Sequence, residues 1–396
     1  MNSNKRQFQL PNFEELSQDQ ELALAAPLDG QFLVTGGPGT GKSVVALLRA
    51  LRLEREKIDY RFLVFNHVLK ASNDHLFGSG SALKSYTWDQ WFRKQYSELV
   101  GAPVPLLPPA RNRYREIDWV GVEKVLDEWD PGNDSVTRPH IVIDEGQDMP
   151  PGFYNALVSL GYENFYVVAD QNQQLHYGKC SSFENIRDAL GVSVKDVLKL
   201  STNYRNTHRI AALAQHFWPG DIASGKIDLP PVEESALTPL LVQYNGDEIY
   251  KIASRVLKIS DANPSELIGI ITPTQAIQER FLMALEEVPV DLDGERPSIS
   301  AYASGKNSVP LDFSKGGVMV LNAKSCKGLE FDTAILADID SNYPPNREYE
   351  LKSLFYVMVS RARKRAILLR NGQPDRFIES LLPDDDTILN RNRKRN

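Results

Sequence analysis

Short apolar runs alternate with amphipathic segments along the chain, and they fall into two series. In the first, Gln31–Thr35, Tyr60–Asn66, His140–Asp144, Asn164–Asp170 and Val197–Leu200 are brief, rich in Val, Ile, Leu and Phe, and free of polar alternation. Strands buried on both faces of a parallel sheet read in this way. Helical patterns lie between them at Val44–Arg55, Thr87–Val100, Glu116–Trp129 and Gly152–Leu160. From Phe217 to Leu240 the texture changes, with Pro219, Pro230, Pro231 and Pro239 among polar residues. The alternation then resumes, with strands expected at Pro239–Tyr244, Glu266–Thr272, Gly317–Asn322, Thr333–Ala337 and Arg365–Arg370. Helices are expected at Asp247–Ile259, Thr274–Glu287, Glu348–Arg361 and Pro374–Leu382. The pattern predicts two α/β domains in tandem, at 1–215 and 216–382, followed by a polar, solvated tail at 383–396.

Length agrees, since 396 residues at roughly 150 per domain make two to three domains. Hydrophobic residues at 42% and charged residues at 24% exclude wholesale disorder. No run of ~20 apolar residues is available to span a bilayer, and Met1–Leu10 lacks the apolar core of a secretory signal. The expectation is a cytoplasmic protein with no membrane partner. Cys180 and Cys326 are too few for a disulfide scaffold and too far apart for zinc. A net charge of −7 argues against coating nucleic acid by bulk charge. It leaves room for a local basic groove, because steering depends on where charge sits.

The strongest local signal is Gly36-Gly37-Pro38-Gly39-Thr40-Gly41-Lys42-Ser43, which fits G-x-x-x-x-G-K-[ST] between an apolar strand and a helix. Glycines Gly37, Gly39 and Gly41, with Thr40, let successive backbone N–H groups turn toward phosphate oxygens, and the helix adds its positive end. Lys42 would reach the β- and γ-phosphates and Ser43 would bind Mg²⁺. The alternative is a chance Gly-rich turn, against which the flanking strand and helix both speak. Ile141-Val142-Ile143-Asp144-Glu145 ends a strand with two acids where open α/β sheets bind ligands. Asp144 would hold Mg²⁺ and Glu145 would deprotonate the attacking water. Gln173, after the strand ending at Asp170, could sense the γ-phosphate. Arg205 and Arg361 would stabilise charge spreading in the transition state, the alternative for each being a surface ion pair. ATP and Mg²⁺ are therefore the expected cofactors.

With these elements in order, the chain resembles the superfamily 1 helicases of the UvrD/Rep/PcrA type, from Leu16 to about Leu369. Leu16-Ser17-Gln18-Asp19-Gln20 is similar to the Q motif, which implies that Gln20 reads adenine. Asp144-Glu145-Gly146-Gln147-Asp148 resembles the DExQD box, and Ala169–Gln173 the GDxxQ element. Asn203-Tyr204-Arg205-Asn206-Thr207 resembles NYRST, which implies Tyr204 against the adenine and Arg205 on the γ-phosphate. Lys327–Asp332 matches KGLEFD and brings Gly328 and Glu330 into the nucleotide site. Tyr356–Ala362 resembles YVAxTRA and implies that Arg361 is an arginine finger. The resemblance implies two tandem RecA-like P-loop NTPase domains with ATP in the cleft between them. It also implies single-stranded DNA crossing both domains, gripped by stacking aromatics. The candidates are Phe65 and Asn66, Thr87 and Trp88 of the Lys84–Trp88 segment, Tyr177 and Lys324, with Trp91 a weaker one. For the aromatics the alternative is core packing.

Several departures fall where hydrolysis would be coupled to the strand: Ala169 for Gly, Gln174 and His176 for the Ser and Tyr of QSIY, and Asn322-Ala323-Lys324 for T-x-H. The segments near 87–139 and 273–316 hold only a reduced and a minimal insertion where full-size relatives carry large accessory ones. The resemblance thus implies a single-stranded DNA translocase or helicase, moving 3′ to 5′, that works with a protein partner subunit in DNA repair or phage defence. Two alternatives remain: an ATP-dependent switch or assembly subunit whose ATPase ignores DNA, and a motor on RNA.

Overall fold

The computed structural model describes residues 10–11, 13–65, 67, 70, 83–109, 115–130, 137–174, 180–220, 228–302, 316–323, 325–341 and 348–391. The first series of strands is β1 (Gln31–Gly36), β2 (Tyr60–Val64), β3 (Ser85–Thr87), β4 (His140–Ile143), β5 (Phe165–Ala169) and β6 (Leu198–Leu200). They form one sheet in the order β3-β2-β4-β5-β1-β6, parallel throughout. The second series is β7 (Leu240–Tyr244), β8 (Leu267–Thr272), β9 (Ile299–Tyr302), β10 (Gly317–Asn322), β11 (Phe331–Leu336) and β12 (Ala362–Asn371). These make a second parallel six-stranded sheet, ordered β7-β12-β11-β8-β10-β9.

Each sheet is covered on both faces, as parallel sheets require. In the first, Val34, Phe62, Val142, Tyr166 and Val168 point to one apolar layer, while Leu33, Leu63, Ile141, Phe165 and Val167 point to the other. The period-two split explains why these strands read as unbroken apolar runs. In the second, Ile268, Ile270, Val318 and Val320 divide in the same manner from Leu267, Ile271, Met319 and Leu321. Among the described residues, no helix is long and apolar enough to cross a membrane.

The structure corrects the sequence reading in four places. It adds two strands to the expected set: β3, a three-residue edge strand with Tyr86 exposed, and β9, half-buried along its length. The segment near 87–139 packs helices on the first sheet, while that near 273–316 therefore helps complete the second. The former supplies the helices Trp88–Val100 and Trp119–Glu128 to the first core, and the latter supplies the helix Gln275–Glu287 and β9 to the second. The expected helix over Glu348–Arg361 ends at Val359, and the chain turns through Ser360 and Arg361 directly into β12.

The helix His208–His216 buries Ile210, Leu213 and Ala214 in the layer on the second sheet, so the change of core comes before the change of texture at Phe217. Finally, the segment after 383 is no solvated tail as far as Arg391. Leu389 is fully buried, Leu241 N–H donates to the Asn390 carbonyl at 2.9 Å, and Asn390 N–H donates to the Pro239 carbonyl at 2.8 Å. Ile388 packs on the same core, and Arg391 donates to the Pro383 carbonyl at 3.0 Å and to the Leu382 carbonyl at 3.1 Å.

Candidate functional site

The glycine-rich loop leaves the C-terminal end of β1 and enters the helix Lys42–Arg55. Gly39 and Gly41 adopt the left-handed conformation, with φ of 78° and 86°, which L side chains rarely take. A Cβ at Gly39 would collide with Asn203 Oδ1 and one at Gly41 with Gln20 Nε2, so the loop is gripped from two sides. On one side Gln20 Nε2 donates to the Thr40 carbonyl at 2.9 Å. Gln20 is itself fixed by a capping box with Ser17 at the start of the helix Gln18–Ala25. On the other side Tyr204 N–H donates to the Gly39 carbonyl at 2.8 Å, while the Tyr204 ring is 57% exposed. Within the loop Thr40 Oγ1 donates to the Gly37 carbonyl at 2.9 Å. Lys42 Nζ donates to the Gly36 and Gly37 carbonyls at 2.8 and 2.7 Å and lies 3.4 Å from Asp170 Oδ2.

β5 lies between β1 and β4, so the acids at the end of β4 stand one strand away from the loop, on the same edge of the sheet. Asp144 and Glu145 are both buried, and Asp144 Oδ1 accepts the Glu145 N–H at 3.0 Å. Glu145 is a non-glycine residue with φ of 56°, a conformation that costs of order 1–3 kcal/mol and tends to persist at functional sites. Gln147 orients it, donating from Nε2 to Glu145 Oε2 at 2.6 Å while its Oε1 accepts the Asp170 N–H at 2.9 Å. Gln173 Nε2 donates to Asp170 Oδ2 at 2.6 Å.

The second sheet reaches this cluster from the segments that precede β11 and β12. Arg361 is buried and donates from Nη2 to Gln173 Oε1 at 2.5 Å and from Nε to the Val357 carbonyl at 3.1 Å. Lys327 Nζ donates to Asp148 Oδ1 at 2.7 Å and to the Gln173 carbonyl at 2.5 Å, and it stands 3.8 Å from Glu145. Glu330 accepts from Arg205 Nε at 2.8 Å and pairs with its Nη2 at 2.5 Å. Gly328, between Lys327 and Glu330 in the chain, has φ of 77°.

The charges act on one another. Burial pulls the Lys42 ammonium below its ordinary value, against the pull of Asp170 and Glu145, and the charges of Arg205 and Arg361 add to the lowering. Burial likewise lowers Arg361, helped by Arg205. For Glu145 burial alone would favour the neutral acid, but Lys327, Lys42 and Arg361 outweigh it and hold the carboxylate ionised. Burial raises Asp148, with the Glu145 charge adding to it, against Lys327. Lys327 resists its own burial because Asp148 and Glu145 surround it. Four cations and an oriented, ionised carboxylate beside a glycine loop suit a polyphosphate anion and a proton acceptor next to it.

For a metal, Asp144 and the half-buried Ser43 on the first helical turn are the oxygen donors at hand. Among the described residues, no group of three or more His, Cys, Asp or Glu side chains could hold a metal alone. That donor set fits Mg²⁺, which takes one or two protein oxygens and completes its octahedron from phosphates and water.

These contacts draw Gln20, Gly37, Gly39, Thr40, Gly41, Lys42, Glu145, Gln173, Tyr204, Arg205, Glu330 and Arg361 into one region, to which Ser43, Asp144 and Gly328 belong as chain neighbours of Lys42, Glu145 and Lys327. The residues expected to hold nucleic acid are not joined to it by any of them. Phe65 is partly buried against the first core, Thr87 is buried with Oγ1 donating to Gln90 at 3.1 Å, and Trp88 packs on Trp119 and Phe153 at centroid distances of 6.4 and 5.4 Å. Trp91 is buried and meets Tyr162 edge-on. Asn66, Tyr177 and Lys324 lie outside the described residues, as does His176. Sequence reasoning missed Lys327, Gln147, Asp148, Asn203 and Asn206. All five stand inside the motif strings, and nothing in those strings singles them out from the other polar residues beside them.

No protein-family model matches the chain, and no curated protein sequence matches it. Among solved structures, the chain is similar to the C-terminal domain of a possible DNA helicase from Lactobacillus plantarum WCFS1. The identity is 21% and the TM-score 0.33, over 47% of this chain and 96% of that one. A likeness at that level decides neither fold nor activity for this chain.

Proposed function

We propose that the chain is an ATPase motor of superfamily 1, built from two RecA-like domains, that moves on single-stranded DNA and works with a protein partner. One observation carries the reading: residues from both sheets converge on the glycine loop, with Glu145, Gln173 and Arg205 on one side and Arg361 and Lys327 on the other. A site shared between two sheets can change shape when its ligand changes charge, which is the requirement for turning hydrolysis into movement.

In this reading ATP lies with its phosphates in the loop Gly37–Ser43, its adenine near Gln20 and the exposed Tyr204 ring. Lys42 leaves the loop carbonyls for the phosphate oxygens. Glu145, held ionised and oriented by Gln147, takes the proton of the attacking water. Arg205 and Arg361 stabilise the charge that spreads over the γ-phosphoryl group. Mg²⁺, held by Ser43 and Asp144, would supply further charge neutralisation.

The test is the ATPase rate with no nucleic acid, single-stranded DNA, duplex DNA and RNA. Stimulation by single-stranded DNA, abolished in Lys42→Ala, is the expected result; hydrolysis at the wild-type rate in Lys42→Ala and Glu145→Gln sinks the assignment. A second reading, an ATP-dependent switch or assembly subunit, is favoured by one observation. Trp88 and Thr87, candidates for gripping DNA, are engaged in the first core. A rate indifferent to every nucleic acid, together with a stably retained partner, selects it.

A further inference from the structure

We propose that Asn206 is a positioning residue that couples the glycine loop to Arg361, an inference that rests on the ATPase reading. Asn206 is 5% exposed. Its Nδ2 donates to the Ser360 carbonyl at 3.1 Å and to the Ala362 carbonyl, and these two residues flank Arg361. Its Oδ1 accepts from Asn203 Nδ2 at 2.9 Å. Asn203 Oδ1 in turn accepts the backbone N–H groups of Arg205 and Asn206 at 3.0 and 3.2 Å. Asn203 lies so close to Gly39 that no Cβ fits between them, and Tyr204 N–H holds the Gly39 carbonyl. At the other end, Thr207 N–H donates to the Arg363 carbonyl at 3.3 Å. The segment 203–207 therefore grips the loop with its first two residues and the Arg361 turn with its last two.

An amide is the side chain this junction needs. It has two N–H donors for two carbonyls and an oxygen left for Asn203, whereas a serine hydroxyl has one donor. Serine is the residue of the NYRST pattern that the chain otherwise resembles, so the second donor is a feature of this sequence. Holding the carbonyls on both sides of Arg361 fixes the direction in which its side chain leaves the backbone. Its guanidinium then meets Gln173 and the cluster around Lys42 without a search. A displacement of Gly39 as phosphates enter presses on Asn203, and through Asn206 on the turn that carries the arginine.

The test is a double-mutant cycle on the full chain, with MgATP and saturating single-stranded DNA. Asn206→Ala is expected to lower kcat about 100-fold, the penalty of misplacing a catalytic group by about 1 Å. KM for ATP and affinity for a fluorescent MgADP analogue stay near wild type, while the thermal unfolding midpoint falls because the variant leaves the Ser360 and Ala362 carbonyls without this donor. Arg361→Ala lowers kcat at least as far, and the double variant is no slower than Arg361→Ala alone. Asn206→Ser, which keeps one donor, replaces the alanine variant where that fails to fold; its expected loss is about tenfold, with the same non-additivity.

Independent, multiplying losses in the double variant, or a kcat for the single variant within about twofold of wild type, overturn the inference while the ATPase reading stands. A wild-type protein that hydrolyses no ATP with or without DNA overturns that reading, and the inference with it.

Discussion

The two parallel sheets meet the site from opposite ends. The first contributes segments at the C-terminal ends of its strands: the loop after β1, Asp144 and Glu145 after β4, and Asp170 and Gln173 after β5. The second contributes segments at the N-terminal ends of its strands: Lys327 and Glu330 before β11, and Arg361 before β12. Four buried carboxylates (Asp144, Glu145, Asp148 and Asp170) on the first side face Lys327 and Arg361 on the second, while Lys42 and Arg205 stand with the first side and Glu330 crosses from the second to pair with Arg205.

The end of the second sheet that corresponds to the first one's site is also rich in charge, but its groups satisfy one another. Asp338, with φ of 49° after β11, accepts from Tyr244 and Arg280, and Arg370 joins Asp340 to Glu379 at 2.7 and 2.6 Å. Two strained carboxylates of like geometry thus have different company. Glu145 is surrounded by groups drawn from both sheets, and Asp338 by groups of its own. The lesson is that backbone strain alone does not mark the reactive carboxylate; its neighbours across the junction do.

The largest expected effect separates these two carboxylates. Glu145→Gln should lower kcat for ATP hydrolysis about 10³-fold, or ~4 kcal/mol of barrier, while Asp338→Asn should leave kcat within about twofold in the same steady-state assay. Equal losses would erase the distinction. Next, Lys327→Ala should destabilise the protein by about 3 kcal/mol, read from urea unfolding, because it strands Asp148 and Glu145 in a buried site without their cation. If stability is unchanged, the charge complement between the sheets contributes nothing.

Tyr204→Ala should raise KM for ATP about tenfold, the loss of one base-stacking contact, and leave the melting temperature where it was, since the ring is exposed. The smallest effect is expected for Arg280→Ala. Its partner Asp338 is buried but its own side chain is 38% exposed, so solvent screening limits the cost to about 1 kcal/mol in the same urea titration. A loss as large as that of Lys327→Ala would mean that the second sheet's own cluster matters as much as the junction.

Much of the fold was legible because parallel strands bury both faces. β5 is buried at all five positions and β8 at all six, and such runs stand out in a sequence. β3 and β9 did not, since a three-residue edge strand and a half-buried one lack the apolar run that carries the signal. The helix Gln18–Ala25 was not read as a helix, because its first four residues are polar and only the last four are apolar. The loop residues of the site were readable because left-handed turns demand glycine. Of the junction residues, Arg205, Arg361 and Glu330 were reached through the family resemblance, but their pairings were not, because which side chain meets which across two sheets depends on how the sheets dock, and no spacing encodes that. Lys327 lay in plain view within a motif, yet nothing in the string pairs it with Asp148.

The docked segment around Leu389 has a consequence for assembly. β7 is a border strand, and a bare border offers a row of donors and acceptors to any passing extended chain. Here Asn390 already occupies part of that row against Leu240 and Leu241, with Leu389 sealed beneath it. Strand addition at this side of the second sheet must first peel the segment away. At the opposite side the border is β9, only Ile299–Tyr302 long and half-buried. A border that short also offers little to an added strand, so among the described residues both sides of this sheet are blunted against strand addition.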